Sequence, residues 1–191
     1  MEISDKAKKL LIVVGMAGCG KSVVVDYFKQ KNWQVIYFGG VTMKEVKKRN
    51  LSVNQTNEKK VREELRQTHG MEAYAKLEFP NIKKALSQGL TIIDGLYSWS
   101  EYKFLREHIN IPIIMLAVYT PKKLRYERLA EREFRGLNNT QAELRDFAEI
   151  ENLEKGGPIA IADHTIVNDG SIEKLHSALE KFLIKFNSDK I

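Results

Sequence analysis

Leu10-Leu11-Ile12-Val13-Val14, followed at once by Gly15-Met16-Ala17-Gly18-Cys19-Gly20-Lys21-Ser22, is the stretch that decides how this chain is read. The unbroken apolar run reads as a strand buried on both faces. The residues after it spell G-x-x-x-x-G-K-S, the spacing of a phosphate-binding P-loop. Lys21 to Lys31 contains neither Gly nor Pro, so a helix can follow the loop directly. Glycines let the backbone curl until several N–H groups aim at one anion, and the helix N-terminus adds partial positive charge at the same point. Lys21 is then placed for the β- and γ-phosphates of a nucleotide, and the Ser22 hydroxyl for Mg²⁺. A plain Gly-rich turn would account for the glycines and would need neither Lys21 nor Ser22.

The chain of 191 residues is long enough for one well-buried core and short for two domains, so residues 1–191 are expected to form a single domain. Its composition, 43% hydrophobic and 29% charged, is that of a soluble globular protein. No apolar run approaches the ~18–20 residues of a membrane span. Met1-Glu2-Ile3-Ser4-Asp5-Lys6 has no signal-peptide core, and the apolar stretch from Leu10 leads straight into the P-loop. The one cysteine, Cys19, cannot form an internal disulfide, which fits a reducing cytoplasm. Cys19 at a helix N-terminus could carry redox chemistry; the simpler reading is a small residue inside a tight loop. The net charge of +6 suits anionic partners such as nucleotides. No aromatic-interleaved basic stretch or zinc-finger pattern points to nucleic acid. The cluster Lys44-Glu45-Val46-Lys47-Lys48-Arg49 reads as a solvated helix face.

Strand-like runs alternate with helical patterns along the whole chain. After the first helix come Trp33–Phe38, closed by Gly39-Gly40, and a mostly helical region of about residues 42–88, with breaks expected near Leu51–Asn54, at Gly70 and at Pro80. Leu90–Asp94 and Ile113–Val118 read as strands, with a helix around Glu101–His108 between them. Pro121–Arg135 reads as a helix with Thr120 as its N-cap, and Thr140–Leu153 as another. The last strand is His164–Val167. The last helix starts at Ser171 with Ile172, Leu175, Leu179, Phe182 and Phe186 on one face. This alternation predicts a three-layer α/β fold with a parallel sheet flanked by helices. In such sheets ligands sit beyond the carboxyl ends of the strands. The P-loop, Gly39-Gly40 and Asp94-Gly95 should therefore meet at one crevice.

Asp94 closes an apolar strand beside the P-loop. It could hold Mg²⁺ through water, orient or deprotonate an acceptor, or only cap the next turn. Arg125, Arg128, Arg132 and Arg135 are spaced 3, 4 and 3 apart, which puts them on one helix face. Stacked like charges of this kind repel unless an anion meets them or neighbouring acids such as Glu127 and Glu131 solvate the face. Phosphoryl transfer needs cations that neutralise charge in the transition state. The Arg-rich segment leading into Gly136-Leu137-Asn138-Asn139-Thr140 therefore reads as a short closing lid over about residues 132–145.

On these segments, together with Ala162-Asp163-His164-Thr165-Ile166-Val167-Asn168-Asp169-Gly170, the chain resembles the P-loop nucleoside-monophosphate-kinase superfamily. Within it, the resemblance is to the short family likened to adenylate kinase and dephospho-CoA kinase. It covers nearly the whole chain. It implies a P-loop NTPase fold, ATP and Mg²⁺ as cofactors, and a small nucleotide-type acceptor. By position it implies that Arg128 stacks on the donor adenine, that Arg132 contacts its phosphates, that the backbone from Asn168 to Gly170 lines the adenine pocket, and that Arg66 lies on the acceptor side. Gly15, Gly18, Cys19, Gly20, Lys21 and Ser22 would cradle the donor phosphates. Lys21, Arg132, Arg135 and Asp94 would carry catalysis, Ser22 and Asp94 would hold the metal, and Gly39, Gly40, Gly95 and Arg66 would line the acceptor site.

The chain departs from the resemblance where an acid is expected after the second strand. That place reads Tyr37-Phe38-Gly39-Gly40, and Met43 replaces an expected arginine. A hydroxyl acceptor benefits from a general base, whereas a phosphate oxygen is already anionic. The expectation is therefore a nucleoside monophosphate kinase, with dephospho-CoA kinase as the alternative. A nucleotide-binding regulatory protein with a reduced acceptor site is the second alternative. Asn-Lys-x-Asp and Asp-x-x-Gly signatures of GTPases are absent, and Gly95 stands where a hydrolytic ATPase carries a glutamate.

Overall fold

A computed structural model describes residues 9–133 and 136–188. In these residues β1 (Leu10–Val14) runs through the middle of a five-stranded sheet. β3 (Thr91–Asp94) pairs with it on one side and β4 (Ile113–Tyr119) on the other, with β2 (Gln34–Tyr37) and β5 (His164–Val167) at the edges. The order is β2-β3-β1-β4-β5 and every pairing is parallel. Parallel neighbours require crossovers, and helices supply them. α1 (Lys21–Gln30) joins β1 to β2; α2 (Gly39–Lys48), α3 (Gln55–His69) and α4 (Ala73–Gln88) join β2 to β3; α5 (Trp99–His108) leads to β4; α6 (Lys122–Ala130), α7 (Asn139–Glu151) and α8 (Gly156–Ala160) lead to β5; α9 (Ile172–Asn187) follows.

All five residues of β1 are fully buried, as a central strand covered on both faces must be. Its alternate side chains feed two cores. Leu10, Ile12 and Val14 meet Ile93, Met115, Tyr74, Ile82 and Leu105 under α2–α5. Leu11 and Val13 meet Val24 and Phe28 of α1 and Leu175, Leu179, Phe182 and Phe186 of α9. Of the expected α9 face only Ile172 is exposed, because it is the first helical residue after the Ser171 cap and lies beyond the edge of the core.

Two expectations about helices fail on tertiary grounds. Pro80 does not break the chain; it sits inside α4. A proline removes one helical hydrogen bond, at a cost of about 3 kcal/mol. The helix buries Tyr74, Ala75, Glu78, Ile82 and Ala85 on both sides of it, and that packing prevails. Gly39-Gly40 does not close β2 as a loop; the pair forms the first turn of α2. The Tyr37 ring lies so close to Gly39 that a Cβ there would overlap it.

The chain reverses direction across β1: β2 and β3 lie to one side, β4 and β5 to the other. The crevice beyond the carboxyl ends of β1 and β3 is where such sheets hold ligands.

Candidate active site

The loop from Gly15 to Gly20 lies at the end of β1 and turns into α1. Gly18 and Gly20 have φ of +79° and +94°, where residues with a Cβ are strained. A Cβ at Gly18 would also meet the Arg125 carbonyl at 2.6 Å, and one at Gly20 would overlap the Asn168 side chain. Gly20 occupies the N-cap position and has no side chain to cap the helix, and the first turn holds no acid. The leading N–H groups of α1 therefore face the crevice with their partial positive charge unopposed.

The loop is pinned from outside. Thr120 is not a helix cap; α6 begins at Lys122 with Pro121 in the cap position. Buried Thr120 instead shares its hydroxyl proton between the carbonyls of Cys19 (3.1 Å) and Asn168 (2.9 Å). The Asn168 amide donates to the Cys19 carbonyl at 2.9 Å. Cys19 is buried in the core; its carbonyl accepts these bonds, and its Sγ lies 3.6 Å from the Lys21 ammonium.

Arg125 departs from the expected lid face. It is buried, donates to the Ala17 carbonyl at 2.9 Å, and forks onto Asp146 of α7 at 3.0 and 2.6 Å. The four-arginine face is also discontinuous, because α6 ends at Ala130. The Leu137 N–H folds back to the Leu129 carbonyl (3.0 Å), and Leu137 is buried against Tyr126, Leu129 and Ala142, which ends the helix. Arg128 remains at the rim of the loop, its guanidinium 3.2 Å from the Asn168 carbonyl. Arg132 is exposed past the end of α6, and partial desolvation with the nearby Arg145 cation pushes its pKa down. Arg135 lies outside the described residues. Gly170 packs against the Lys174 side chain, which pairs with Asp169.

Lys21 reaches back over the loop, its ammonium 2.6 Å from the Gly15 carbonyl and 3.1 Å from that of Met16. Asp94 stands level with Val13 and Tyr37 across the sheet. Burial raises its pKa, while Lys21 pulls it back. Gly95, at φ +90°, follows and packs on the Tyr97 ring. Ser22 is exposed in the first turn of α1. Among the described residues no group of three or more His, Cys, Asp or Glu side chains gathers to hold a metal. A hydroxyl and one carboxylate are hard oxygen donors, a set that suits Mg²⁺, which keeps several waters and leans on substrate phosphates.

On α3, Glu63 faces Lys59 and Glu64 faces Arg49 and Lys60. Arg66 turns inward and stacks 4.9 Å from the Tyr74 ring, whose hydroxyl pairs with Thr42 at 2.6 Å. The Nε of Arg66 and the Oε1 of Glu101 are both buried without hydrogen-bond partners.

Sequence reasoning missed a charged group entirely. Arg145 and Glu149 of α7 are bonded at 3.1 Å, and Glu149 also binds Lys155 at 2.6 Å. Lys21, Lys155 and Arg145 all act on Glu149, and Lys21 and Lys155 both act on Asp94. Only the spacing of Arg145 and Glu149, one helical turn apart, was a signal; nothing in the spacing of Lys155 tied it to them.

A family profile described as an AAA domain matches residues 11–146. A UPF0200 protein of Thermococcus gammatolerans is 36% identical over 188 residues, covering 93% of this chain and 97% of the relative. One from Methanococcus vannielii is 32% identical, covering 92% and 97%. The chain belongs to the UPF0200 family of P-loop AAA-domain proteins. Among solved structures, TT1252 from Thermus thermophilus matches this UPF0200 chain with a TM-score of 0.59 at 20% identity, covering 92% of it and 96% of TT1252. The dephospho-CoA kinase from Campylobacter jejuni matches with a TM-score of 0.57 at 19% identity, covering 96% and 100%. At these identities the likeness is one of fold, and the fold is that of P-loop kinases. No helix among the described residues is long and apolar enough to cross a membrane.

Two stability measurements follow from this geometry. Arg125→Ala leaves Asp146 buried without its cation and should cost about 3–5 kcal/mol in denaturant unfolding; a loss under 1 kcal/mol would mean that α7 does not depend on this pair. Glu101, buried and accepting from the Tyr97 and Ser98 N–H groups, has its pKa pushed up to about 7 by desolvation. Between the unfolded value of 4.5 and about 7 the native state holds the extra proton, so stability falls as pH rises through that window. Glu101→Gln should therefore match the parent near pH 4 and exceed it at pH 8, by on the order of 1–3 kcal/mol. An equal difference at both pH values would contradict the raised pKa.

Proposed function

We propose that this UPF0200 protein is an ATP-dependent phosphotransferase whose acceptor is a nucleoside monophosphate. One observation carries the reading: an uncapped helix N-terminus and Lys21 follow β1 beside Asp94 at the end of β3, with Arg128 of α6 at the rim of the loop. Such a site suits an anion with several charges. Phosphoryl transfer asks a protein mainly for positioning and charge neutralisation. Bound ATP–Mg²⁺ would supply the phosphoryl group and part of that neutralisation. Lys21 would exchange the Gly15 and Met16 carbonyls for phosphate oxygens. Ser22 and Asp94 would hold the metal, Asp94 through water. Arg128 would lie against the donor base beside Asn168–Gly170, and Arg132 would close over the phosphates with the lid.

Arg66 is the cation for the acceptor phosphate, which its planar fork can grip at two oxygens. Its inward stacking on Tyr74 supports that role over pairing on a solvated helix face. The glycine turn that opens α2 offers no base for a hydroxyl, which favours a phosphate acceptor. Asp94 is the observation behind the alternative, dephospho-CoA kinase: its raised pKa suits a proton acceptor. The location that fits either reading is the cytoplasm.

The test is a coupled ADP-release screen of ATP with nucleoside monophosphates and dephospho-CoA. Lys21→Ala should lower turnover at least about a hundredfold; an unchanged rate would end the P-loop reading. Arg66→Lys should raise the KM for the acceptor about tenfold with little change for ATP. Equal effects on both substrates would remove Arg66 from the acceptor site. Activity on dephospho-CoA alone would move the base role to Asp94.

A further inference from the structure

We propose that Lys155 is a second phosphate-contacting cation, delivered by the turn between α7 and α8 into the crevice that Lys21 enters from the P-loop. This rests on the phosphotransferase reading and adds to it a residue from outside the P-loop and outside the arginine-rich segment.

Burial comes first. Lys155 is 1% exposed, a rare state for a lysine. Its ammonium has three N–H donors. Glu149 accepts one at 2.6 Å, and the Tyr97 ring lies 5.0 Å from the nitrogen. The remaining donating capacity suits a ligand with several oxygens.

The backbone is bent to put it there. Glu154, the residue before it, has φ of +52°, a left-handed conformation that costs a residue with a side chain about 1 kcal/mol or more. The Lys155 N–H closes back on the Glu149 carbonyl at 3.1 Å, and the Gly157 N–H on that of Glu154 at 3.1 Å. Gly157 then passes so near Trp99 of α5 that a Cβ would stand 3.0 Å from the ring. The effect is to carry Lys155 under the turn and over Tyr97, which follows Asp94-Gly95.

Electrostatics gives the direction. The charged and titratable groups acting on Lys155 or acted on by it are Glu149 and Arg145 of α7, Lys21 at the start of α1, Asp94 at the end of β3 and Glu101 of α5, and the Tyr97 ring lies against it. Burial and the like charge of Lys21 work against the protonated lysine, and Glu149 works for it. A salt bridge needed only to hold the turn gains nothing from lying in the field of the P-loop lysine. An apolar pair would hold the turn as well. Two lysines whose like charges repel are both satisfied by a polyanion between them. The γ-phosphate of ATP, the most highly charged part of the donor, is the group that Lys155 would meet. Lys155 takes part by donating N–H bonds to its oxygens; it forms no covalent bond and gives up no proton.

The test is calorimetric titration with ADP–Mg²⁺ and with the imido analogue of ATP, AMP-PNP–Mg²⁺. Two variants are used, Lys155→Met and the double variant Glu149→Gln/Lys155→Met, which leaves no buried unpaired charge. Both should bind ADP within about twofold of the parent and AMP-PNP about tenfold more weakly. Both nucleotides unchanged, or both weakened alike, would overturn the role of Lys155 and leave the phosphotransferase reading intact. A double variant that fails to fold would make the pair structural and overturn the role too. A parent protein that binds neither nucleotide would overturn both readings.

Discussion

A loop that aims its N–H groups at one anion must turn its carbonyls away from it, and every one of those carbonyls needs a donor elsewhere. That constraint organises much of this protein. The carbonyls of Gly15 and Met16 are met by Lys21, Ala17 by Arg125, Cys19 by Thr120 and Asn168, and Gly20 by the N–H groups of Val23 and Val24. The donors come from the start of α1, from the end of β4, from α6 and from the end of β5. A loop pinned on so many sides is rigid before any ligand arrives, and preorganised donors act on charge without reorganising. The same bonds tie the sheet's carboxyl edge to the helices above it. The geometry of the crevice and the stability of the fold are therefore not separable properties.

The second organising fact is a density of buried and half-buried charge. Arg125 with Asp146 and Lys155 with Glu149 are ion pairs largely removed from water, and Glu149 also pairs with half-buried Arg145. Such pairs contribute little net stability, because desolvation offsets most of their attraction. Their value is positional. Asp146 and Glu149 lie three residues apart on α7, so one helix edge holds the arginine that supports the P-loop and the lysine that enters the crevice. Burial works against the Glu149 carboxylate, but Lys155 and Arg145 outweigh it and hold its pKa low. Asp94, with less cationic support, moves the other way. Two carboxylates in one neighbourhood are thus driven to different protonation behaviour, a pattern that acid–base sites exploit.

Local signals were strong where one element satisfied itself. The P-loop, the alternation of strands and helices, and the inward face of α9 could be read from periodicity and turn residues, since those patterns depend on near neighbours. They failed where a distant segment outbid a local preference. Thr120 before Pro121 has the look of a helix cap, but two distant carbonyls claim its hydroxyl. Pro80 reads as a break, but the helix around it is held by burial on both sides of the proline. Arg125 shares a spacing with Arg128 and Arg132, but an acid of α7 captures it and a refolded Leu137 ends the helix early. The short α8, built on Gly156-Gly157-Pro158, has no helical signature at all.

The sequence by itself determined the fold class and the P-loop between β1 and α1, because each is encoded in contiguous residues and in periods of 2 and 3.6. Only the tertiary structure decided which charges meet. It turned Arg66 toward Tyr74 and away from its neighbouring glutamates, made Arg125 a strut, and brought Lys155 beneath a left-handed Glu154 into the field of Lys21. Ion pairing depends on distance in space, and residues separated by more than a hundred positions, such as Lys21 and Lys155, are brought near each other only when the sheet has closed and its crossovers have packed.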